Sequence, residues 1–397
     1  MQTIYVTSDL TLTQDLYNTR LVVQADNIVI DGNGHYLYGP GSSTGYVGVV
    51  VNGRANVTIK NLIATNWTTA ISIISSTNIT LQNNTAKNNS YGFYLYESSS
   101  NSFINNTATN NGYGFYLYES DSNIIAGNMA ANNSRGFHLS DSEKNNLTGN
   151  MAANNSHGFY LGGSRDNVLV GNDAVMNTYG FYVKESYSND IHNCAVLNCS
   201  RGFVLVGGGY NDLTGSSVLG YLRLRFKDES GRPLAGVEVR VVCGGVVIYA
   251  TPRYGGTNPT TDSEGYTPWI IVPIGTFRGT TLETNTITVT AYHEGTEITE
   301  TIETPLETDT INKEIVIPPP PGPGSGSGPG SGSLLFAYYL SQLYSSSNNG
   351  VVVVGAGVGV GALAAAATLA VLLYRRRRRR EGRLQGPDVC LAPTHPK

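Results

Sequence analysis

Charge is scarce in this chain. Asp, Glu, Lys and Arg make up 14% of its 397 residues. They are also unevenly placed. Eight Lys/Arg and two Asp/Glu fall between Arg375 and Lys397, so everything before Arg375 carries −10. A surface that follows nucleic-acid phosphates has to be basic, which excludes such a partner for the bulk of the chain. Cysteine is scarce as well. Its four copies are too few for a scaffold built from disulfides. No apolar spacing long enough for a helix occurs between Met1 and Gly220. What is abundant is Gly, Asn, Ser, Thr and Tyr, a composition suited to strands and turns.

The string "NSYGFYLYES" at 89–98 returns as "NGYGFYLYES" at 111–120. Aligned on this motif, Gly92, Gly114, Gly136, Gly158, Gly180 and Gly202 recur at one constant interval, each followed by phenylalanine. Ala70-Ile71 and Gly48-Val49 hold the same register. A second apolar column runs from Leu95 through Leu117, Leu139, Leu161 and Val183 to Leu205. A third runs from Ile59 to Leu213, and a fourth, mostly alanine, from Ala64 to Val218. A strict period of this size identifies a solenoid. In "GFYLY" the alternation places Phe and Leu on one face and Tyr on the other, which is strand spacing. The expectation is three short strands per coil, stacked about 4.8 Å apart around a filled apolar interior. Asparagine columns, such as Asn84 to Asn172, Asn89 to Asn177 and Asn101 to Asn211, are expected at the corners. There they tolerate left-handed backbone and bond to their own copies.

The string "NNTATNNGYGFYLYESDSNIIAGN" and its copies, over about residues 20–220, resemble the right-handed parallel β-helix proteins of the pectin-lyase-like superfamily. Within that superfamily they look most like the NosD-like periplasmic copper-binding repeat family. The resemblance implies an all-β solenoid of 22-residue coils. "NIVIDGNGHYLYG" at 27–39 resembles the opening turn of such helices, so residues 1–47 are read as a cap and first coil, and 48–220 as the repeats. The related polysaccharide hydrolases share a paired Asp-Asp and a Gly-His-Gly, and neither string occurs here. The lyases require clustered acids with a basic proton acceptor. Here Arg135, Arg165, Lys184 and Arg201 are scattered.

After Gly220 the period stops. "YLRLRFKDESGRPLAGVEVRVV" and later alternating runs predict a β-sandwich over 221–317. "DESGRPLAGVEVRV" with "TDSEGYTPWIIV" resembles carboxypeptidase-regulatory-like and other immunoglobulin-like modules, which act as spacers or caps. A Pro/Gly/Ser linker follows at 318–333, then an aromatic juxtamembrane segment at 334–349. Residues 350–374 carry no charge and as a helix would reach about 37 Å, enough to cross a bilayer. Six arginines follow and mark residues 375–397 as the cytoplasmic side. The layout is thus a single-pass protein of the cell membrane, its N-terminal part outside, as in archaeal surface proteins. Export of that part calls for a leader, which "MQTIYVTSDLTLTQ" does not resemble, so a further N-terminal segment is expected.

The outward column of the repeated strand holds Tyr94, Tyr116, His138, Tyr160 and Tyr182, with Tyr96 and Tyr118 beside it. Tyrosine offers sugars an apolar ring and a polar tip. That motivates a noncatalytic glycan-binding or adhesion role; a polysaccharide lyase or hydrolase and a structural envelope component are the alternatives. Glu97, Glu119 and Asp141 form an adjacent acidic column that would suit calcium. No other cofactor is expected. Copper would need clustered His, Met or Cys, whereas Met129 and Met151 lie in a different column from His138 and His157. Cys194 and Cys199 either bridge locally or stay free. Ten Asn-x-Ser/Thr sites, at Asn56, Asn66, Asn78, Asn83, Asn88, Asn105, Asn132, Asn146, Asn154 and Asn198, are candidate glycan acceptors.

Overall fold

The computed structural model describes residues 1–305 and 310–320. The predicted linker beyond 320, the juxtamembrane segment, the span at 350–374 and the basic tail all lie outside the described residues. Among the described residues no helix is long and apolar enough to cross a membrane. The only helical turn there is a 3-10 turn at Pro252–Tyr254.

The solenoid winds into ten coils whose strands stack in three parallel arrays of ten, nine and ten; on the last coil the second array is reduced to a bridge at Asp212. The first sheet carries the six-residue strands of the tyrosine motif, Tyr91–Tyr96 and its copies. The second and third carry three-residue strands such as Ser102–Ile104 and Thr107–Thr109. Each strand pairs with its copy one coil on, for example Phe93 with Phe115 and Phe103 with Ile125. Residues 1–47 complete two coils rather than a cap and one coil, because Gln2–Val6 already pairs in parallel with Thr19–Val23. Ile30 pairs with Ile59 despite the longer intervening loop.

The apolar columns fill the bore. Phe93, Phe115, Phe137, Phe159 and Phe181 are buried. With Phe203 they stack at 4.6–4.9 Å, which matches the coil spacing. One coil cannot enclose its own apolar face, so stability comes from stacking on the neighbours.

The asparagines divide into two sets. The columns running through Asn84, Asn89 and Asn101 are buried. They form three hydrogen-bonded ladders. Asn106 is typical: its backbone N–H and Nδ2 both donate to Asn128 Oδ1, at 2.8 and 3.1 Å, and Nδ2 also donates to the Leu81 carbonyl at 2.8 Å. A fourth, serine ladder runs from Ser76 to Ser186. The left-handed backbone expected of these asparagines belongs instead to the residue before each, for example Asn83, Asn88, Asn105 and Ser100. In "Asn-Asn-Thr" the first residue makes the exposed corner and the second enters the ladder. Cys194 and Cys199 follow the last asparagines of two different ladders and are free. Each thiol points to the carbonyl that an asparagine amide would reach, Leu169 for Cys194 and Ala174 for Cys199, both at 3.4 Å. Burial pushes the thiols up to about 12 and about 11, so they are unreactive.

The predicted boundary at 220/221 falls inside one strand. Ser217–Lys227 starts in the solenoid, pairing with Ala195–Leu197, and continues past the last coil. From Ser217 to Leu222 it also pairs with Ile270–Arg278, and from Tyr221 onward with Thr310–Val316. A second, four-stranded sheet packs over this extension around its own core, including Leu222, Leu224, Val239, Val241 and Val289. The end of the bore is closed from this unit. Phe277 joins the solenoid core edge-on to Phe203, with ring centroids 5.0 Å apart, and its N–H donates to the Ser216 carbonyl at 2.8 Å.

Candidate functional site

The glycine column determines which side chains face outward on the first sheet. A Cβ on Gly92, Gly114 or Gly136 would stand 2.6 Å from the carbonyl oxygen of the next glycine. The pairing register also skips these residues, running Tyr91 to Tyr113 and then Phe93 to Phe115. The resulting kink brings the residue before the glycine to the outside with the residue two after it; the Tyr91 and Tyr94 rings lie 5.7 Å apart. Two aromatic columns therefore run side by side, one through Tyr91, Tyr113, Arg135, His157 and Tyr179, the other through Tyr94, Tyr116, His138, Tyr160 and Tyr182. Tyr96 and Tyr118 form a third short column.

The structure brings all seven predicted aromatic residues onto this one face, but most rings lie on each other. Tyr116 and His138 stack at 4.6 Å, Tyr160 and Tyr182 at 5.3 Å, Tyr96 and Tyr118 at 5.5 Å. Stacking along the solenoid axis turns ring faces toward neighbours and leaves the tyrosines half-buried. The pattern breaks at Tyr94 and Tyr116, tilted by 41°, and at His138 and Tyr160, perpendicular at 90°.

Arg135 sits in this break. Its guanidinium lies 4.6 Å over the Tyr160 ring and 5.3 Å over Tyr113, and it donates to the Tyr113 hydroxyl at 3.3 Å. It also lies 3.4 Å from His138 Nδ1. A guanidinium only donates, so Nδ1 accepts and the His138 proton resides on Nε2. His138 is 5% exposed. Burial first, then Arg135 and His157, lowers its pKa to about 3, so the ring is neutral at ordinary pH. Burial and Arg135 also hold His157 below its usual value. Burial raises Tyr94 and takes Tyr116 to about 12. A hydrogen bond to Glu97 raises Tyr96, and one to Glu119 takes Tyr118 to about 12.

The acidic column lies at the rim. Glu97, Glu119 and Asp141 are exposed, each at a left-handed corner with φ of 47–49°. Glu97 and Glu119 each bond their own tyrosine, and Asp141 accepts from Ser140 at 3.0 Å. They do not converge as a calcium site requires. Among the described residues the ligand set that does converge is Asp190, His192 and Asp212. Met129 and Met151 pair on the third sheet, a different face from His138 and His157.

None of the ten sequon asparagines is buried, and all except Asn146 have left-handed backbone. At Asn83, Asn88, Asn105, Asn132 and Asn154 the coil geometry accounts for the spacing: a corner Asn, a ladder Asn, then a Thr that opens the next strand or a Ser just before it. Asn198 Nδ2 donates to the Tyr221 hydroxyl at 3.0 Å.

Beyond the Asp190, His192 and Asp212 set, two further features escaped the sequence reading. Tyr17, Tyr38 and Tyr36 form a separate stacked set near the N-terminal end, at 4.7 and 5.0 Å, for which "YLY" at 36–38 was the available signal. Asp173 is buried on the third sheet with Oδ1 unbonded, and burial raises its pKa to about 7. No sequence signal separates it from a surface Asp.

A match to a family model agrees with this architecture. A family model described as the right-handed beta helix region matches residues 16–175. The solenoid is a right-handed parallel β-helix. Among solved structures, DFA-IIIase from Arthrobacter chlorophenolicus A6 is similar with 9% identity and a TM-score of 0.44, over 52% of this chain and 62% of that one. The periplasmic alginate epimerase AlgG is similar with 16% identity and a TM-score of 0.39, over 48% and 58%. The A-module of a mannuronan C-5 epimerase from Azotobacter vinelandii shows 12% identity and a TM-score of 0.27, over 54% and 90%. The chain thus spans less than two thirds of the first two. No curated protein matches it.

Proposed function

We propose that this chain is a noncatalytic surface protein that binds glycans edge-on along the first sheet of its β-helix. The observation that carries the reading is the row of tyrosine hydroxyls at coil spacing, bordered by the Tyr96–Glu97 and Tyr118–Glu119 pairs. Phenol hydroxyls and carboxylates are donors and acceptors suited to sugar hydroxyls. A lyase or hydrolase is disfavoured on this face. A general acid or base works best with a pKa near the operating pH, whereas Tyr116 and Tyr118 are displaced to about 12 and His138 to about 3. We read the rest of the layout in the same sense. The second unit is an immunoglobulin-like spacer, and the segment 350–374 anchors the chain in the cell membrane with the β-helix outside. The NosD-like kinship and an archaeal-type surface location belong to this reading too.

The second reading is a purely structural rod. The ring-on-ring stacking favours it, since aromatic copies stabilise one another across strands. Tyr→Phe substitution separates the two, because it removes the hydroxyls and keeps the stacks. On a glycan array, the full chain is expected to bind, and a Tyr94→Phe, Tyr96→Phe, Tyr118→Phe variant to bind about tenfold or more weakly, from three lost hydrogen bonds. Equal binding by the variant, or no glycan bound by either protein, would favour the rod.

A further inference from the structure

We propose that Asp190, His192 and Asp212 form a binding site for a divalent transition metal, zinc being the best match, at the C-terminal end of the β-helix. The site is independent of the tyrosine face and lies on the second sheet. Asp190 and His192 both project outward from the strand Asp190–His192, at its two ends. Asp212 is the bridge partner of Asp190 on the next coil. Elsewhere this column holds only uncharged residues, namely Val29, Thr58, Thr80, Ser102, Ile124, Asn146 and Val168.

Two observations point to a cation. The first is charge. Two carboxylates stacked on adjacent coils repel one another. Among the described residues neither forms an ion pair with a lysine or arginine, and His192 is the side chain that stands between them. The second is the tautomer. His192 Nδ1 lies 3.2 Å from the Thr214 carbonyl, which only accepts, so Nδ1 carries a proton. In the neutral ring this leaves the Nε2 lone pair facing Asp190 Oδ1 and Asp212 Oδ2, each at 3.9 Å. Three electron-rich atoms then face one another, the arrangement that a metal resolves. A ring nitrogen bonded to a backbone carbonyl is also how metal-ligating histidines are commonly oriented. Asp212 is further fixed through Oδ1, which accepts from the Thr214 N–H at 2.9 Å and its hydroxyl at 2.6 Å, so Oδ2 remains the donor atom for the ion.

One nitrogen and two carboxylate oxygens, with a position left for water, suit zinc. Tetrahedral zinc ligands lie about 3.4 Å apart; the two aspartate oxygens stand 3.9 Å from the imidazole nitrogen and all three donor atoms lie within 4.8 Å of one another, a gap that rotation of exposed side chains closes. The ion would also tie the last coil to its cap, because Thr214 Oγ1 accepts from the Gly279 N–H at 3.0 Å.

The test titrates the metal-stripped full chain with Co²⁺, read by its visible absorption, with Zn²⁺ in competition. Histidine and cysteine in the tail can bind metal on their own, so the difference between variants is decisive. The expected result is one Zn²⁺-displaceable Co²⁺ whose affinity falls about 10–100-fold or more in His192→Gln, and likewise in Asp190→Asn and Asp212→Asn. Zn²⁺ should raise the melting temperature of the parent and leave that of His192→Gln unmoved. All three residues are partly or fully exposed, so circular dichroism should stay unchanged. Binding unaffected by His192→Gln, Ca²⁺ binding as tight as Zn²⁺, or no saturable binding would each overturn the proposal.

Discussion

Replacing Asn128 by alanine tests whether the buried ladders hold the coils in place. Asn128 Oδ1 accepts from the backbone N–H and the Nδ2 of Asn106, at 2.8 and 3.1 Å. Its Nδ2 donates to Phe103 O at 2.8 Å, Ala126 O at 3.1 Å and Asn150 Oδ1 at 3.0 Å. After truncation the Asn106 side chain keeps the Leu81 carbonyl, and Asn150 Oδ1 keeps the N–H of residue 128. The Asn106 backbone N–H is left buried without an acceptor. That orphan costs about 1–3 kcal/mol and the other bonds lost add about 1–2 more, so the expected loss is about 2–5 kcal/mol. A coil touches only its neighbours, so denaturation should be read together with amide hydrogen exchange, with lost protection concentrated in the flanking coils. Asn128→Asp sharpens the test. It keeps the acceptor but turns an oxygen toward Phe103 O and Asn150 Oδ1, both acceptors. The folded state therefore favours the protonated acid, and stability should fall as pH rises above about 4. Asn105→Gly is the control, expected to be near neutral, because Gly127, Gly149 and Gly171 hold the same left-handed corner. A loss below about 0.5 kcal/mol for Asn128→Ala, or a glycine control as damaging as the alanine, would refute the reasoning.

The remaining predictions concern the first sheet, the tyrosine hydroxyls and the metal site. Gly114→Ala should destabilise by about 1–3 kcal/mol or more, since its Cβ would meet Gly136 O at 2.6 Å and Ala108 Cβ at 3.3 Å; calorimetry checks it, and a neutral result would show that the kink relaxes. His138→Tyr should relieve acid sensitivity. The unfolded histidine binds a proton below about pH 6.5, the folded one only near about 3, beside Arg135 and His157. The unfolded state thus binds more protons in between, and the parent loses stability as pH falls through that window. The variant should lose less between pH 7 and 5, measured by urea denaturation. The array experiment with the three Tyr→Phe changes and the Co²⁺ titration of His192→Gln complete the set.

The coil was legible because each unit places chemically similar residues in identical surroundings, so Phe, Leu, Ile and Ala repeat in step. Less legible was the division of labour between adjacent asparagines. Asn105 and Asn106 are the same residue type, and only backbone conformation makes one an exposed corner and the other a buried rung. The glycine column was visible, but its consequence, two aromatic columns running side by side, depends on a kink that alternation alone does not reveal. The burial of His138 under its neighbours follows from that kink. The unit boundary was hidden for a different reason. "SVLGYLRLRFK" alternates without a break, so one strand serves both cores and no linker marks the change. Asp190, His192 and Asp212 escaped because two belong to one coil and the third to the next, and the column of the two aspartates carries no charge elsewhere.

The four ladders also govern how a chain of this kind can change size. Every rung reaches its partner at the same separation along the chain, so gaining or losing a single residue within a coil would throw all four out of step together. Adding or removing one whole lap leaves every rung matched. Lengths in such a lineage should therefore be quantised, with reach adjusted by duplicating or deleting complete units while insertions of other sizes collect in loops outside the strands.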